Sequence, residues 1–186
     1  MKRICVGSLV AVLVVGILSI SASGSVRLKG GYFMPRESYQ VSGVKVPDNG
    51  LVYGAEITTT FLGKVGLGIG ADYFQWKKTI ENQEYTWQVV PALATLYLYP
   101  FGNLYLGAGA GYYLARTSPP WSISGDTALG SGIGYHGVIG YNITKHLFIE
   151  AKYSTCKVNN WKVTGISVES KISDVGGITF MLGLSI

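Results

Sequence analysis

The sequence predicts an all-β fold: an eight-stranded antiparallel up-and-down transmembrane β-barrel, preceded by a cleavable signal peptide. Three observations lead there. The chain is apolar but has no span for a membrane helix beyond its leader; it divides into eight alternating runs; and its strand charges keep to one side-chain parity.

Only 13% of the 186 residues are charged, mean hydropathy is +0.30, and there are 26 glycines and 13 tyrosines. Such a composition is unusual for a water-soluble domain of this size. Past the leader, no stretch reaches the ~18 apolar residues that a spanning helix requires. The nearest, Val89 to Phe101, is short and carries Pro91 and Pro100, which a helix interior rejects. Hydrocarbon offers no partner to unpaired backbone groups, so a membrane chain without spanning helices must close a barrel.

The leader comes first. Met1-Lys2-Arg3 is a positive start, Ile4 to Leu18 an apolar run, and Ser19 to Gly24 a string of small residues, the pattern of a secretory signal. Small residues suit cleavage after Ser23 or after Gly24. Cys5 comes at the very start of the apolar run instead of following it, unlike a lipoprotein cysteine, and the run is short for a permanent anchor. Two units result: signal peptide 1–23 and outer-membrane barrel 24–186.

Alternation and turn residues mark runs at 25–35, 50–62, 65–76, 86–99, 104–116, 131–143, 147–158 and 175–186. Connections alternate between tight (Gly63-Lys64, Pro100 to Asn103, Thr144 to His146) and long and polar (36–49, 77–85, 117–130, 159–174). Short periplasmic turns opposite longer outer loops, with an even strand number, are features of outer-membrane barrels.

Successive strand side chains point to opposite faces. In the seventh run Leu147, Ile149, Ala151 and Tyr153 alternate with Phe148, Glu150, Lys152 and Ser154; the second, third, sixth and eighth runs behave alike. Arg27, Lys29, Glu56, Asp72, Glu150 and Lys152 all fall on the inner parity, and His136 joins them as a lumen residue. Arg116 and Lys157 have the outer parity but lie at strand ends. A Lys or Arg facing mid-bilayer lipid costs ~2–4 kcal/mol, a cost this sorting avoids. Inner glycines such as Gly107, Gly109 and Gly111 suit a narrow barrel. Tyr32, Tyr73, Tyr99, Tyr112, Tyr141 and Tyr153 supply interfacial girdles. The fourth run is apolar on both parities, and its faces stay unassigned.

Several function classes recede. The net charge of +5 is scattered and forms no phosphate-tracking stripe, so nucleic acid is not an expected partner. Cys156 is alone in the mature chain and reads as a buried thiol. No His, Cys and carboxylate set has metal-ligand spacing, no cofactor is expected, and the G-x-G repeats lie inside strands, not at a strand-to-helix turn.

Leu104 to Tyr112, Gly134 to Ile143 followed by Lys145 to Tyr153, and the alternating C-terminal run together resemble the small outer-membrane barrel family of the OmpA barrel domain, OmpX and OmpW. The likeness covers essentially the whole mature chain. It implies secretion through the inner membrane, insertion by the barrel-assembly machinery, and outer-membrane lipids as partners. That family usually ends in an aromatic residue, whereas this chain ends in Ile186. The peptidoglycan-binding domain of full-length OmpA is expected to be absent.

Three functions follow as expectations. The first is a structural or surface-interaction barrel, its lumen mostly plugged by the charge network Arg27, Lys29, Glu56, Asp72, His136, Glu150 and Lys152, with an extracellular ligand or surface partner left open. The second, implied by OmpW, is a narrow channel or binding site for small or hydrophobic molecules, with Trp76, Trp87, Trp121 and Trp161 as outer-mouth or interface aromatics. The third, a lipid-modifying or proteolytic enzyme, needs a nucleophile with a base in reach. His136 lacks the His-x-Ser pairing of the lipid A deacylases and His146 sits in a tight turn, so no catalytic residue is assigned.

Overall fold

The computed structural model describes residues 24–41, 44–61, 63–80, 82–118, 128–158, 162–163, 166–167 and 174–186. The leader 1–23 lies outside them, as do the loop positions of Trp121 and Trp161. The strands are β1 (Gly24–Pro35), β2 (Tyr39–Val41), β3 (Val44–Val46), β4 (Gly50–Phe61), β5 (Val65–Ile80), β6 (Gln83–Phe101), β7 (Leu104–Ser118), β8 (Ala128–Asn142), β9 (Leu147–Cys156), β10 (Lys162–Val163), β11 (Ile166–Ser167) and β12 (Gly177–Ser185).

Eight of these close a ring in the order β1-β4-β5-β6-β7-β8-β9-β12, every neighbouring pair antiparallel, with β12 returning to β1. Closure removes the unpaired edges that would otherwise recruit other chains. β2 and β3 form a small hairpin between β1 and β4, and β10 and β11 extend the sheet beside β8.

Tight turns lie at one end. Gly63 and Gly102 take positive φ there, which glycine adopts without steric cost. At the other end the 77–85 loop expected from its polarity is instead a continuation of the hairpin. β5 and β6 stay paired from Lys77↔Thr86 to Ile80↔Gln83 and reverse at Asn82, φ 61°. Asparagine tolerates that left-handed conformation, so polarity here marks strands that outreach an apolar wall. β8 likewise starts at Ala128, three residues before the expected run, paired to Thr117.

Leu28, Ile69, Leu96, Leu106, Ile139, Ile149 and Leu182 are all exposed on the outer wall. β6, whose faces alternation left open, is now assigned: Tyr85, Trp87, Val89, Pro91, Leu93, Thr95 and Tyr97 are buried, while Ala92, Ala94, Leu96 and Leu98 are exposed. Its inner side chains are bulky because its neighbours' are absent. Tyr97 pairs with Gly66 and Gly107, Thr95 with Gly68 and Gly109, and Leu93 with Gly70 and Gly111. A lumen of fixed width is filled once, by whichever strand carries volume. The β5–β6 pairing passes from Ala71↔Ala92 to Phe74↔Val89, skipping Pro91, which has no N–H to donate.

Candidate functional site: the barrel lumen

The lumen has three layers. Toward the tight turns, Tyr97, Tyr105, Val138 and Phe148 form an aromatic floor, with Tyr99 packed against it. Tyr97 and Tyr105 meet edge-on, centroids 5.7 Å apart, a favoured geometry for ring quadrupoles. Tyr99 belongs to this inner layer, correcting its assignment to the girdle, because it keeps the inward parity of β6.

The middle layer is ionic. Arg27, Lys29, Glu56, Asp72, His136, Glu150 and Lys152 are each 8% exposed or less. Lys29 Nζ lies 3.4 Å from Glu56 Oε2 and 3.1 Å from Glu150 Oε1. Arg27 Nη1 lies 3.8 Å and 3.7 Å from the Oε2 atoms of the same two carboxylates, and its Nη2 donates to Tyr105 Oη. The Arg27 guanidinium sits over Phe148, 3.7 Å from the ring centroid, a cation–π contact. Tyr97 donates to both Glu56 oxygens at 2.7 and 2.9 Å, and Tyr105 to Glu150 at 3.2 Å. Lys152 pairs with Asp72. His136 Nε2 shares a 2.8 Å hydrogen bond with Thr95 Oγ1. Three cations therefore meet three carboxylates, which buried charges require.

Two of these contacts run straight across. β5 and β9 stand four strands apart in the eight-strand ring, as do β1 and β7, so Asp72–Lys152 and Arg27–Tyr105 are diameters. The space beside the inner glycines is occupied. A Cβ at Gly107 would come within 2.9 Å of the Tyr97 ring, and one at Gly109 within 2.6 Å of His136. At Gly140 it would run into the Tyr105 ring, and at Gly183 into Phe148.

The third layer, toward the loops, is apolar: Phe33, Val52, Phe74, Trp76, Tyr85, Trp87, Val89, Tyr113, Cys156 and Val175 pack together. Trp76 and Trp87 are Cα partners across β5 and β6 and are both buried, so they line the inside of the mouth and do not belong to the lipid interface. One residue that loop assignment hid is Asp174. It is 5% exposed, accepts from Gly176 N at 2.8 Å and Cys156 N at 3.3 Å, and pairs with Arg36 at 3.2 Å, fixing the start of β12 to β9. A lone aspartate beside Val-Gly-Gly was its only sequence signal.

Beneath the floor a polar vestibule of about 460 Å³ opens at the turn end, lined by Ser25, Thr58, Asn103, Asn142, Lys145 and His146. The larger depression, about 730 Å³, is a dent in the outer wall beside Gly30, between Tyr32, Tyr53 and Leu182, and of the ionic layer only Glu150 borders it. Among the described residues no group of three His, Cys, Asp or Glu side chains is placed to hold a metal.

No protein-family model and no curated protein matches the sequence. Solved structures do. Ail, the attachment invasion locus protein of Yersinia pestis, solved in complex with the heparin analogue sucrose octasulfate, aligns at TM-score 0.54 with 17% identity over 88% of this chain and 97% of its own. Neisserial surface protein A aligns at TM-score 0.56 with 13% identity over 89% and 97%. The fold is that of a small outer-membrane barrel. The outer membrane protein OprG of Pseudomonas aeruginosa agrees, at TM-score 0.51 and 16% identity over 88% and 95%. With nearly the full length of each neighbour covered, the small outer-membrane barrel accounts for all eight strands, and the ionic lumen described above is set inside it.

Proposed function

We propose that the chain is a structural, surface-interacting barrel of the outer membrane, its lumen plugged against solute flow and its loops turned to the outside. The observation that carries this reading is the pair of side-chain diameters, Asp72–Lys152 and Arg27–Tyr105, laid across a lumen whose glycine notches are filled by Tyr97, His136, Tyr105 and Phe148. An eight-stranded barrel has an interior just wide enough for side chains. The apolar wall supports the membrane setting, since a belt rich in exposed Leu, Ile, Phe and Tyr is an association hazard in water. The similar proteins Ail and OprG support it further. No catalytic role is assigned to His136, whose partner is Thr95.

In planar bilayers the purified barrel should give no steady single-channel openings. Reproducible openings of the unmodified barrel would overturn the plugged reading.

A second reading, a binding site for a small hydrophobic molecule in the outer lumen, draws on one observation: the loop-side layer is aromatic and apolar, with Trp76, Trp87, Phe74 and Tyr85 at its centre. Those rings already fill one another's space, Phe33 and Phe74 at 4.5 Å among them.

A further inference from the structure

Each strand that runs toward the loop end carries the same two residues on its lipid-facing parity, a tyrosine and, four positions later, a cation. The pairs are Tyr32 and Arg36 at the end of β1, Tyr73 and Lys77 in β5, Tyr112 and Arg116 in β7, and Tyr153 and Lys157 at the end of β9. All eight side chains are exposed. The four strands running the other way carry no counterpart: at the same end β4 presents Leu51, β6 Gln88, β8 Leu129 and β12 Ile178.

The four tyrosines form a ring of one height. In a closed barrel the strands tilt, so side chains at equal height are staggered along the ladder. Following the ladder across two strands from Tyr32 leads through Phe180 to Ala151, two residues short of Tyr153. From Tyr153 it leads through Gly137 to Ala108, four short of Tyr112. From Tyr112 it leads through Ala92 to Ala71, two short of Tyr73. From Tyr73 it leads through Tyr53 to Gly30, two short of Tyr32. These steps share the stagger of the barrel almost evenly among its quarters. The cations, four residues further along tilted strands, make a second ring roughly 10 Å beyond the first.

A tyrosine ring is where an apolar belt meets polar headgroups. Cations just beyond it, pointing sideways off the wall, lie among those headgroups, not above the loops. The geometry points to a headgroup-binding collar: Arg36, Lys77, Arg116 and Lys157 hold phosphate groups of anionic outer-leaflet lipid, and each tyrosine hydroxyl marks the boundary below. The collar rests on the membrane placement proposed above and is independent of whether the lumen conducts. Arg36 is already tied into it, through hydrogen bonding to Tyr153 Oη at 3.1 Å and pairing with the buried Asp174 at 3.2 Å. A soluble anionic polymer is the less fitting partner, because it would approach along the barrel axis, where these side chains do not point.

The test titrates the purified barrel in micelles with lipopolysaccharide bearing its lipid A phosphates, with the same lipid enzymatically dephosphorylated, and with soluble heparin. The triple variant K77Q/R116Q/K157Q should bind the phosphorylated lipid about a hundredfold more weakly, since each basic side chain near an anionic surface contributes about fivefold. The turn-end control K64Q/K145Q should bind like the parent, and the dephosphorylated lipid should bind the parent as weakly as the triple variant binds the native one. Single variants, expected to lose about fivefold each, serve if the triple variant fails to fold, as judged by boiled and unboiled samples migrating alike in a detergent gel. Unchanged lipid binding in the variants, an equal loss in the turn-end control, indifference to dephosphorylation, or a loss confined to heparin would each overturn the collar. A conducting lumen would overturn the plug and leave this outcome standing.

Discussion

At the scale of single residues, the lumen converts a sequence pattern into pair energetics. Asp72 and Lys152 are both 5% exposed and face each other across the barrel. Removing one member strands a charge away from water, and such losses run to about 3–5 kcal/mol. Replacing both by apolar residues of similar volume leaves nothing unpaired and is often neutral or stabilising. Lys152→Met alone should therefore lower unfolding stability in urea by about that amount, Asp72→Leu alone by a similar amount, and the double variant should recover most of the loss. Full additivity of the two losses would show that the residues act separately. The six charged members of this layer were legible because ionic groups are rare in strand interiors and all shared one parity. Their partners were not: parity says which way Glu56 points, but only closure brings Tyr97 within 2.7 Å of it.

The strands were legible in proportion to how differently their two faces are used. β9 and β12 alternate cleanly, and their bounds fall within three residues of those expected from sequence. β6 hid its faces because inner Tyr97 and Leu93 are as apolar as outer Leu96 and Leu98; what distinguishes them is the glycine on either flanking strand, a relation between strands that no single run contains. That complementarity is testable. Gly107→Val would press on the Tyr97 ring, 2.9 Å from the position of a Cβ, and overpacking of this kind costs about 1–3 kcal/mol. Combining it with Tyr97→Ala should return much of the loss in the same urea assay. A Gly107→Val barrel as stable as the parent would mean that the floor is looser than its packing indicates. The 77–85 segment was misread for a related reason: polarity was taken for a loop, although β5 continues past the apolar belt with Lys77, Lys78 and Thr79 all exposed while Tyr85 of β6 still packs inward. The four-residue spacing from tyrosine to cation was present in the sequence as well, yet it gains meaning only once β1, β5, β7 and β9 are known to run in the same direction.

For the molecule as a whole, two opposite environments explain the arrangement of side chains. Outside, large aliphatic and tyrosine side chains are exposed; inside, a balanced set of charges is buried between an aromatic floor and an apolar cap. Neither face would be stable in the other's place, since charge at mid-bilayer and bare hydrocarbon in water are both costly. The most direct measurement of this claim is nitroxide accessibility along β9 in lipid vesicles, read from single labels at positions 147 to 155 in a Cys156→Ala background. The account predicts a two-residue period, with molecular oxygen reaching labels at Ile149, Ala151 and Tyr153 far better than a water-soluble nickel reagent does, and the intervening Glu150 and Lys152 positions shielded from both. Labels at Ile149 and Tyr153 that meet the nickel reagent freely, or accessibility without a two-residue period, would contradict it.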